Sequence, residues 1–328
     1  MSGASEDASE LEGNAEPIPV GLIGLGRWGR NLARTLLSSP YFDLRAIATR
    51  SEIRDAPRFR EEADLPTSFL NARLVSSWRE LLEDSSISAL VVAVPPSTHY
   101  EILSACIRAR VPVLVEKPLT LSLREADALV ALRAHHNVTV MIDHTQLFSP
   151  GYLALRAALG DATIHDVRFE AGGWGPFRAG VPVSWDWGSH DVAMSIDLFG
   201  MPPIAAQCTV HDSKMIDGGL AQDIAIELGF GDGRTAFSHL SNMRESKTRK
   251  MVVELSDARF IYDEYYEAPL TRIALDGTQR VIDFEREPPL QAVLREFFNV
   301  LSGVSANHST LELGRDVVAV LEKAAPLR

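Results

Sequence analysis

Cysteine is scarce in this sequence, which contains only Cys106 and Cys208 among its 328 residues. Two cysteines so far apart exclude a disulfide-stapled scaffold, and we expect each to behave as a small buried side chain. Histidine and cysteine nowhere cluster with the spacing of zinc ligands. The sequence therefore predicts a protein that is stabilised by an apolar core and binds no metal.

Long apolar runs are also lacking. No stretch reaches the roughly 18 apolar residues that a membrane-spanning helix needs. The first 17 residues have neither the basic start nor the apolar centre of a secretory signal. We therefore expect a soluble, cytoplasmic protein with no membrane partner.

Basic residues are in the minority, since 32 Lys and Arg stand against 44 Asp and Glu and the net charge is −12. Such a surface repels phosphate backbones, so nucleic acid is not an expected partner. Residues 1–17 hold five carboxylates and no Lys or Arg. That composition predicts a disordered acidic arm, either a solubilising tail or a segment that binds a partner.

The sequence contains a regular alternation of short apolar strands and helical segments from residue 18 onward. This alternation is typical of a doubly wound parallel sheet, so we predict an N-terminal Rossmann domain over residues 18–145. The predicted strands are 19–24, 44–49, 89–94, 111–115 and 138–142.

Strand-like segments follow one another directly after Pro150. Hairpin signals stand at 231–233 and 276–277, where Gly-Asp-Gly and Asp-Gly permit tight turns. One helix is predicted near 189–199, and a C-terminal pair near 289–301 and 311–324. We therefore predict an α/β protein whose residues 146–328 form a second, α+β domain with a mostly antiparallel sheet.

A glycine-rich loop joins the first predicted strand to the first predicted helix. Gly24, Gly26 and Gly29 are spaced as GxGxxG, with Arg27 and Trp28 inside the loop. Such glycines allow a tight turn and a close approach of backbone to a pyrophosphate, which the helix N-terminus then attracts. The context favours dinucleotide binding over a glycine-rich turn without a ligand.

The end of the second predicted strand bears on the choice of cofactor. An NAD site usually has Asp or Glu there, whereas this sequence has Thr49, Arg50 and Ser51. Hydroxyl groups and a guanidinium are suited to a 2′-phosphate. We therefore favour NADP, with NAD as the alternative and a solvated loop arginine as the simpler interpretation of Arg50.

Two further clusters carry groups suited to catalysis. Lys117 follows Glu116 at a strand end and precedes Pro118, where it could stabilise a developing alkoxide. Asp186 and His190 share a face if their segment is helical, and the imidazole could exchange the hydroxyl proton. The alternatives are an ordinary strand-end turn and a structural helix with a surface Asp–His pair. His144 and Trp187 are candidates for substrate contact, the latter by stacking on a sugar.

The loop 24–29, the segment 94–99, Glu116–Pro118 and the segment 186–190 together resemble the glucose–fructose oxidoreductase/inositol dehydrogenase (Gfo/Idh/MocA) family. The resemblance implies a Rossmann domain joined to an open-faced antiparallel sheet. In the family this sheet is commonly the oligomer interface, so the resemblance also implies a homo-oligomer such as a dimer or tetramer. It implies Lys117, Asp186 and His190 as the catalytic set, with His190 as general acid/base. The Lys117–Pro118 bond is a candidate for the cis form.

The residues that these motifs add to the expected cofactor site are Pro95, Pro96, His99, Glu116 and Lys117, although a structural role is the alternative for His99. The expected substrate is a small carbohydrate: a sugar, an inositol or a nucleotide sugar. Ala193 and Leu147 depart from the family pattern, which usually has Asp and Arg there. A non-catalytic dinucleotide sensor and a redox-neutral NAD-dependent glycosidase are the alternative functions.

Overall fold

A computed structural model describes residues 16–50 and 71–325. Most of the predicted acidic arm, residues 1–15, and the predicted cofactor residue Ser51 lie outside the described residues. Within those two ranges, no helix is long and apolar enough to cross a membrane.

The first sheet has six strands in the order β3-β2-β1-β4-β5-β6, and every neighbouring pair is parallel. This is the Rossmann strand order, so the predicted doubly wound sheet is confirmed. Most of the side chains of its central strands are buried because helices cover both faces. The strands are β1 (Ile18–Ile23), β2 (Phe42–Ala48), β3 (Arg73–Val75), β4 (Ala89–Val92), β5 (Val113–Glu116) and β6 (Val140–Asp143).

Helices follow the strands in this half of the chain. The first one buries Leu32, Ala33 and Leu36 on one face, as its apolar spacing requires. The α-helices are α1 (Arg27–Ser38), α2 (Trp78–Leu82), α3 (His99–Ala109) and α4 (Leu123–Arg133), and a 3-10 turn covers Pro96–Thr98.

The second sheet has eight strands in the order β14-β13-β12-β11-β7-β10-β9-β8. All its neighbouring pairs are antiparallel except β7 and β10, so the predicted mostly antiparallel sheet is confirmed. The strands are β7 (Ile164–Trp174), β8 (Ala205–Ile216), β9 (Gly219–Gly229), β10 (Thr235–Ser241), β11 (Met243–Leu255), β12 (Ala258–Asp263), β13 (Leu270–Ala274) and β14 (Gln279–Val281).

Helices of the second half contact strands β7, β9, β10 and β12 of its sheet. Gly188 lets one of them approach closely, since a Cβ there would lie 2.7 Å from Ile226 Cδ1. A 3-10 turn covers Thr145–Phe148, and the α-helices are α5 (Pro150–Leu159), α6 (Val183–Asp186), α7 (Gly188–Phe199), α8 (Pro289–Leu301) and α9 (Leu311–Ala324).

Strand β8 is the largest element that sequence patterns do not predict. It lies at the edge of the second sheet, and eleven of its twelve residues pair with β9. Most of its side chains are exposed, so it lacks the alternation of apolar and polar residues that marks a half-buried strand.

The compact units of the chain do not follow a single boundary near residue 145. Among the described residues, those up to Thr120, Arg124–Asp143 and Leu290–Leu311 form one unit, and the others form the second. The segment Leu290–Leu311 belongs with the Rossmann sheet because Phe297 stacks on Phe42, with ring centroids 5.8 Å apart. The expected assignment of this segment to the second domain is corrected accordingly.

Candidate active site

Two positions of the glycine loop have no room for a side chain. Gly24 has a φ of +100°, and a Cβ there would lie 2.4 Å from the carbonyl oxygen of Ala93. A Cβ on Gly29 would lie 2.2 Å from the carbonyl oxygen of Gly24. A side chain at either position would therefore collide with the backbone.

Gly26 differs from its neighbours because a Cβ there would meet no atom within 4 Å. It is the N-cap of α1, makes no side-chain cap hydrogen bond and is followed by no acidic residue in the first helical turn. Amide groups and the positive end of a 12-residue helix thus face open space beside the exposed Arg27 and Trp28. This cradle fits the pyrophosphate of a dinucleotide.

Replacing Gly26 with alanine separates ligand binding from folding. We expect the Kd for NADPH to rise at least about tenfold, because a methyl group would occupy the space that a pyrophosphate needs. The melting temperature should change by less than about 2 °C, since the methyl meets no protein atom. Calorimetry and thermal unfolding measure the two effects.

Gly24→Ala is the contrasting variant and should lower the melting temperature. An unchanged NADPH affinity in Gly26→Ala would contradict the proposed binding of the pyrophosphate at this cradle.

Polar groups at the end of β2 fit a ribose or its phosphate. Thr49 is 5% exposed, and its Oγ1 atom is buried with no hydrogen-bond partner within the described residues. Arg50, the next residue, is exposed. A buried hydroxyl without a partner is costly unless a ligand supplies one. Both groups are therefore available to a cofactor, whereas Ser51 lies outside the described residues.

Glu116 and Lys117 lie at the carboxyl end of β5, the edge at which open α/β sheets bind their ligands. The Lys117–Pro118 peptide bond is cis. Burial and the neighbouring Asp143 raise the pKa of Glu116 well above its usual value, against the opposing charge of Lys117. Sequence reasoning did not single out Asp143, although the parallel register of β5 and β6 places it directly beside Glu116.

His99 is fully buried, and its position argues against a direct contact with cofactor. Its Nδ1 atom lies 3.1 Å from the carbonyl oxygen of Pro118, and its Nε2 atom lies 3.0 Å from that of Val94. Both ring nitrogens therefore face backbone carbonyls, and burial lowers the pKa of the imidazole. The side chain braces the loop after Lys117 against the loop that contains Pro95 and Pro96, so the structural alternative replaces the expected cofactor contact.

Asp186 and His190 lie on two successive helices. Asp186 ends α6, Trp187 is the junction, and the half-buried His190 lies in the first turn of α7. Asp186 forms an ion pair with Arg178, with Nε and Oδ2 2.7 Å apart. Gly188, at the start of α7, packs closely on the sheet, since a Cβ there would lie 2.7 Å from Ile226 Cδ1.

A buried ion pair that sequence reasoning missed anchors α7. Asp191, the neighbour of His190, is fully buried, and its Oδ1 atom lies 3.0 Å from Nη2 of Arg249 on β11. Burial raises the pKa of Asp191, and the charge of Arg249 opposes that effect. No local pattern links the two residues, since only the strand order brings β11 under this helix.

The other predicted substrate residues have distinct surroundings. His144 is fully buried at the start of the 3-10 turn that precedes α5. Trp187 lies over the bare backbone of β7, since a Cβ on Gly173 would be 3.8 Å from its ring. Leu147 and Ala193, the two departures from the family pattern, are buried apolar residues.

Within residues 16–50 and 71–325, no three His, Cys, Asp or Glu side chains are grouped to hold a metal ion.

The Rossmann strand order and the glycine cradle are typical of dinucleotide-binding proteins. The model of the oxidoreductase family with an NAD-binding Rossmann fold, GFO_IDH_MocA, matches residues 18–144. The crystal structure of a protein from Magnetospirillum magnetotacticum MS-1 is 36% identical to this chain. The match has a TM-score of 0.83 and covers 94% of this chain and 100% of that one. The chain belongs to the Gfo/Idh/MocA family.

Two curated relatives have named activities. The scyllo-inositol 2-dehydrogenase (NADP(+)) IolW of Bacillus subtilis (strain 168) is 25% identical over 57% of this chain and 53% of its own length. Inositol 2-dehydrogenase 2 of Paenarthrobacter aurescens (strain TC1) is 34% identical over 44% of this chain and 42% of its own length. The chain thus spans about half the length of these two relatives.

Proposed function

We propose that this protein transfers a hydride between a nicotinamide cofactor and a carbon that bears a hydroxyl group in a small carbohydrate. The observation that carries the proposal is the Rossmann sheet itself. The dinucleotide cradle at Gly26 and the amine of Lys117 both lie at the carboxyl ends of its parallel strands. The names of the inositol dehydrogenase relatives support a polyol or sugar, and a nucleotide sugar belongs to the same class.

The proposed chemistry assigns a separate task to each polar residue. When bound, the nicotinamide accepts or returns the hydride. The Lys117 ammonium hydrogen-bonds the reacting oxygen and stabilises its negative charge. The imidazole of His190 takes the hydroxyl proton during oxidation and returns it during reduction. Asp186, which forms an ion pair with Arg178, supports the other two groups.

We propose NADP as the preferred cofactor. Arg50 and the buried hydroxyl of Thr49 at the end of β2 support this choice, as does the NADP(+) in the name of the Bacillus relative. Glu116, Pro95 and Pro96 remain proposed cofactor neighbours, with Arg27 and Trp28 at the pyrophosphate.

Replacing Arg50 with alanine tests the cofactor preference. The Kd for NADPH should rise about tenfold or more, because a guanidinium–phosphate hydrogen bond is lost, while that for NADH should change less than about threefold. Fluorescence titration with both cofactors measures this. Arg45→Ala is the control, since that side chain is exposed and forms an ion pair with Asp43. Equal losses for NADH and NADPH would contradict a 2′-phosphate contact.

We also propose that the protein forms a homo-oligomer through the second sheet. Phe237 on β10 is an exposed large apolar side chain that pairs with the exposed Glu227, so it lies on the face opposite to the buried Ile224 and Leu240. Exposed apolar side chains on an open sheet face can mark association surfaces. The proposal therefore places the interface on the open side of the sheet.

Nicotinamide absorbance tests the function directly. Pools of inositols, free sugars and nucleotide sugars are added to the enzyme with NADPH, NADH or their oxidised forms. A change with one pool and one cofactor supports hydride transfer and identifies the substrate class. Tight cofactor binding without turnover would replace the proposal with the sensor function, and sugar release without net redox change would replace it with the glycosidase.

A further inference from the structure

Two carboxylic acids end neighbouring strands beside Lys117. Glu116 is the last residue of β5, Asp143 is the last residue of β6, and the two are direct partners in the parallel register. Cross-strand partners project to the same face of a sheet. The register therefore brings the two side chains together at the edge where the cofactor is proposed to bind.

Both carboxyl groups are withdrawn from water. Asp143 is 1% exposed, and Oε1 of Glu116 and Oδ2 of Asp143 are buried atoms. Asp143 raises the pKa of the Glu116 carboxyl group, and a hydrogen bond between two carboxyl groups requires a proton on one of them. Two ionised carboxylates in contact without solvent would repel strongly, so the protonated state is favoured.

Lys117 completes the cluster. Its charge and its backbone N–H both oppose the rise in the pKa of the Glu116 carboxyl group. His99 is a further titratable side chain at this turn, where it contacts the carbonyl oxygens of Pro118 and Leu119, and the buried His144 follows Asp143 in the chain. With one proton on the acid pair, its single negative charge balances the ammonium of Lys117.

We propose that Glu116 and Asp143 share one proton and that this pair is a positioning element for Lys117. A pair with one negative charge leaves the ammonium available to the substrate oxygen, whereas a dianion would bind the ammonium to itself. The role of Lys117 in this inference rests on the proposed function. Asp143 thereby becomes a positioning residue that has no contact of its own with the substrate.

The pH dependence of stability tests the shared proton without any substrate. The pKa of Glu116 is raised in the folded protein, so its contribution to stability is full below the unfolded value of 4.5 and is lost as pH rises toward the folded pKa. Glu116→Gln keeps a donor for Asp143 and does not titrate. The melting temperature of Glu116→Gln minus that of the wild type should therefore increase by about 5 °C from pH 5 to pH 9.

Asp143→Asn should produce the same relative rise, and the double variant should add little to either single change because both remove one shared proton. Glu245→Gln, at an exposed position, is the matched control. Parallel pH–stability curves for wild type and Glu116→Gln would overturn the shared proton. That result is readable even if the protein turns over no carbohydrate, so it is distinct from failure of the proposed function.

Kinetics then test the positioning role. At saturating NADPH, Glu116→Ala should lower kcat about 100-fold. Glu116→Gln should have a kcat at least about tenfold higher than that of Glu116→Ala. Its kcat should also decline less at alkaline pH than that of the wild type. A merely structural pair would not change the pH profile. The proposal would be overturned if Glu116→Gln raised the Kd for NADPH about tenfold while Asp143→Asn left that Kd unchanged. That result would indicate that Glu116 is an ionised cofactor ligand.

Discussion

Replacing Lys117 with methionine is expected to lower kcat about 10²–10³-fold at saturating NADPH and substrate. Methionine retains the length and apolar stem of lysine but has no donor and no charge for the developing alkoxide. The loss should appear in the single-turnover rate of hydride transfer, which stopped-flow absorbance follows at the nicotinamide band. Binding of NADPH is titrated separately, so that saturation of each variant is established before the rates are compared.

Lys214→Met is the matched control because Lys214 is an exposed lysine of strand β8. It should leave the single-turnover rate within about twofold of wild type, as surface substitutions generally do. If Lys117→Met transfers hydride as fast as this control, Lys117 has no part in the chemistry. The proposed acid pair would then have no catalytic consequence, although its shared proton could still be measured.

Replacing His190 with alanine is expected to lower kcat about 10²–10⁴-fold, the range for loss of a general acid/base. The imidazole is proposed to exchange a proton with the hydroxyl oxygen, and alanine offers no substitute. Imidazole added to the solution should restore part of the lost rate in proportion to its concentration. Steady-state turnover with and without imidazole measures both effects, and a purely structural histidine would show no such rescue.

His165→Ala supplies the control for this experiment, since His165 is an exposed residue at the start of β7. It should retain wild-type turnover with and without imidazole. The double variant of Lys117 and His190 should lose much less than the product of the single losses, because groups that act in one step are not additive. Fully multiplicative losses would indicate that the two residues serve different steps.

The dinucleotide loop shows how much of a site can be predicted from local sequence. The spacing of Gly24, Gly26 and Gly29 reflects backbone requirements within one strand–turn–helix unit, so the pattern is complete in a few residues. The arrangement around His190 could not be predicted in the same way. No local pattern marks the break between the two helices at Trp187, and the close approach of Gly188 to Ile226 depends on how the sheet is assembled.

The sequence by itself determined the fold class, the order of the elements and the residue types suited to hydride transfer, because periodicity, turn glycines and strand-end motifs are local properties. Only the tertiary structure decided which side chains meet. Glu116 faces Asp143 through the register of β5 and β6, Asp191 meets Arg249 through the order of the second sheet, and His99 braces two loops. These pairings depend on strand order and burial, and neither is encoded in the spacing of neighbouring residues.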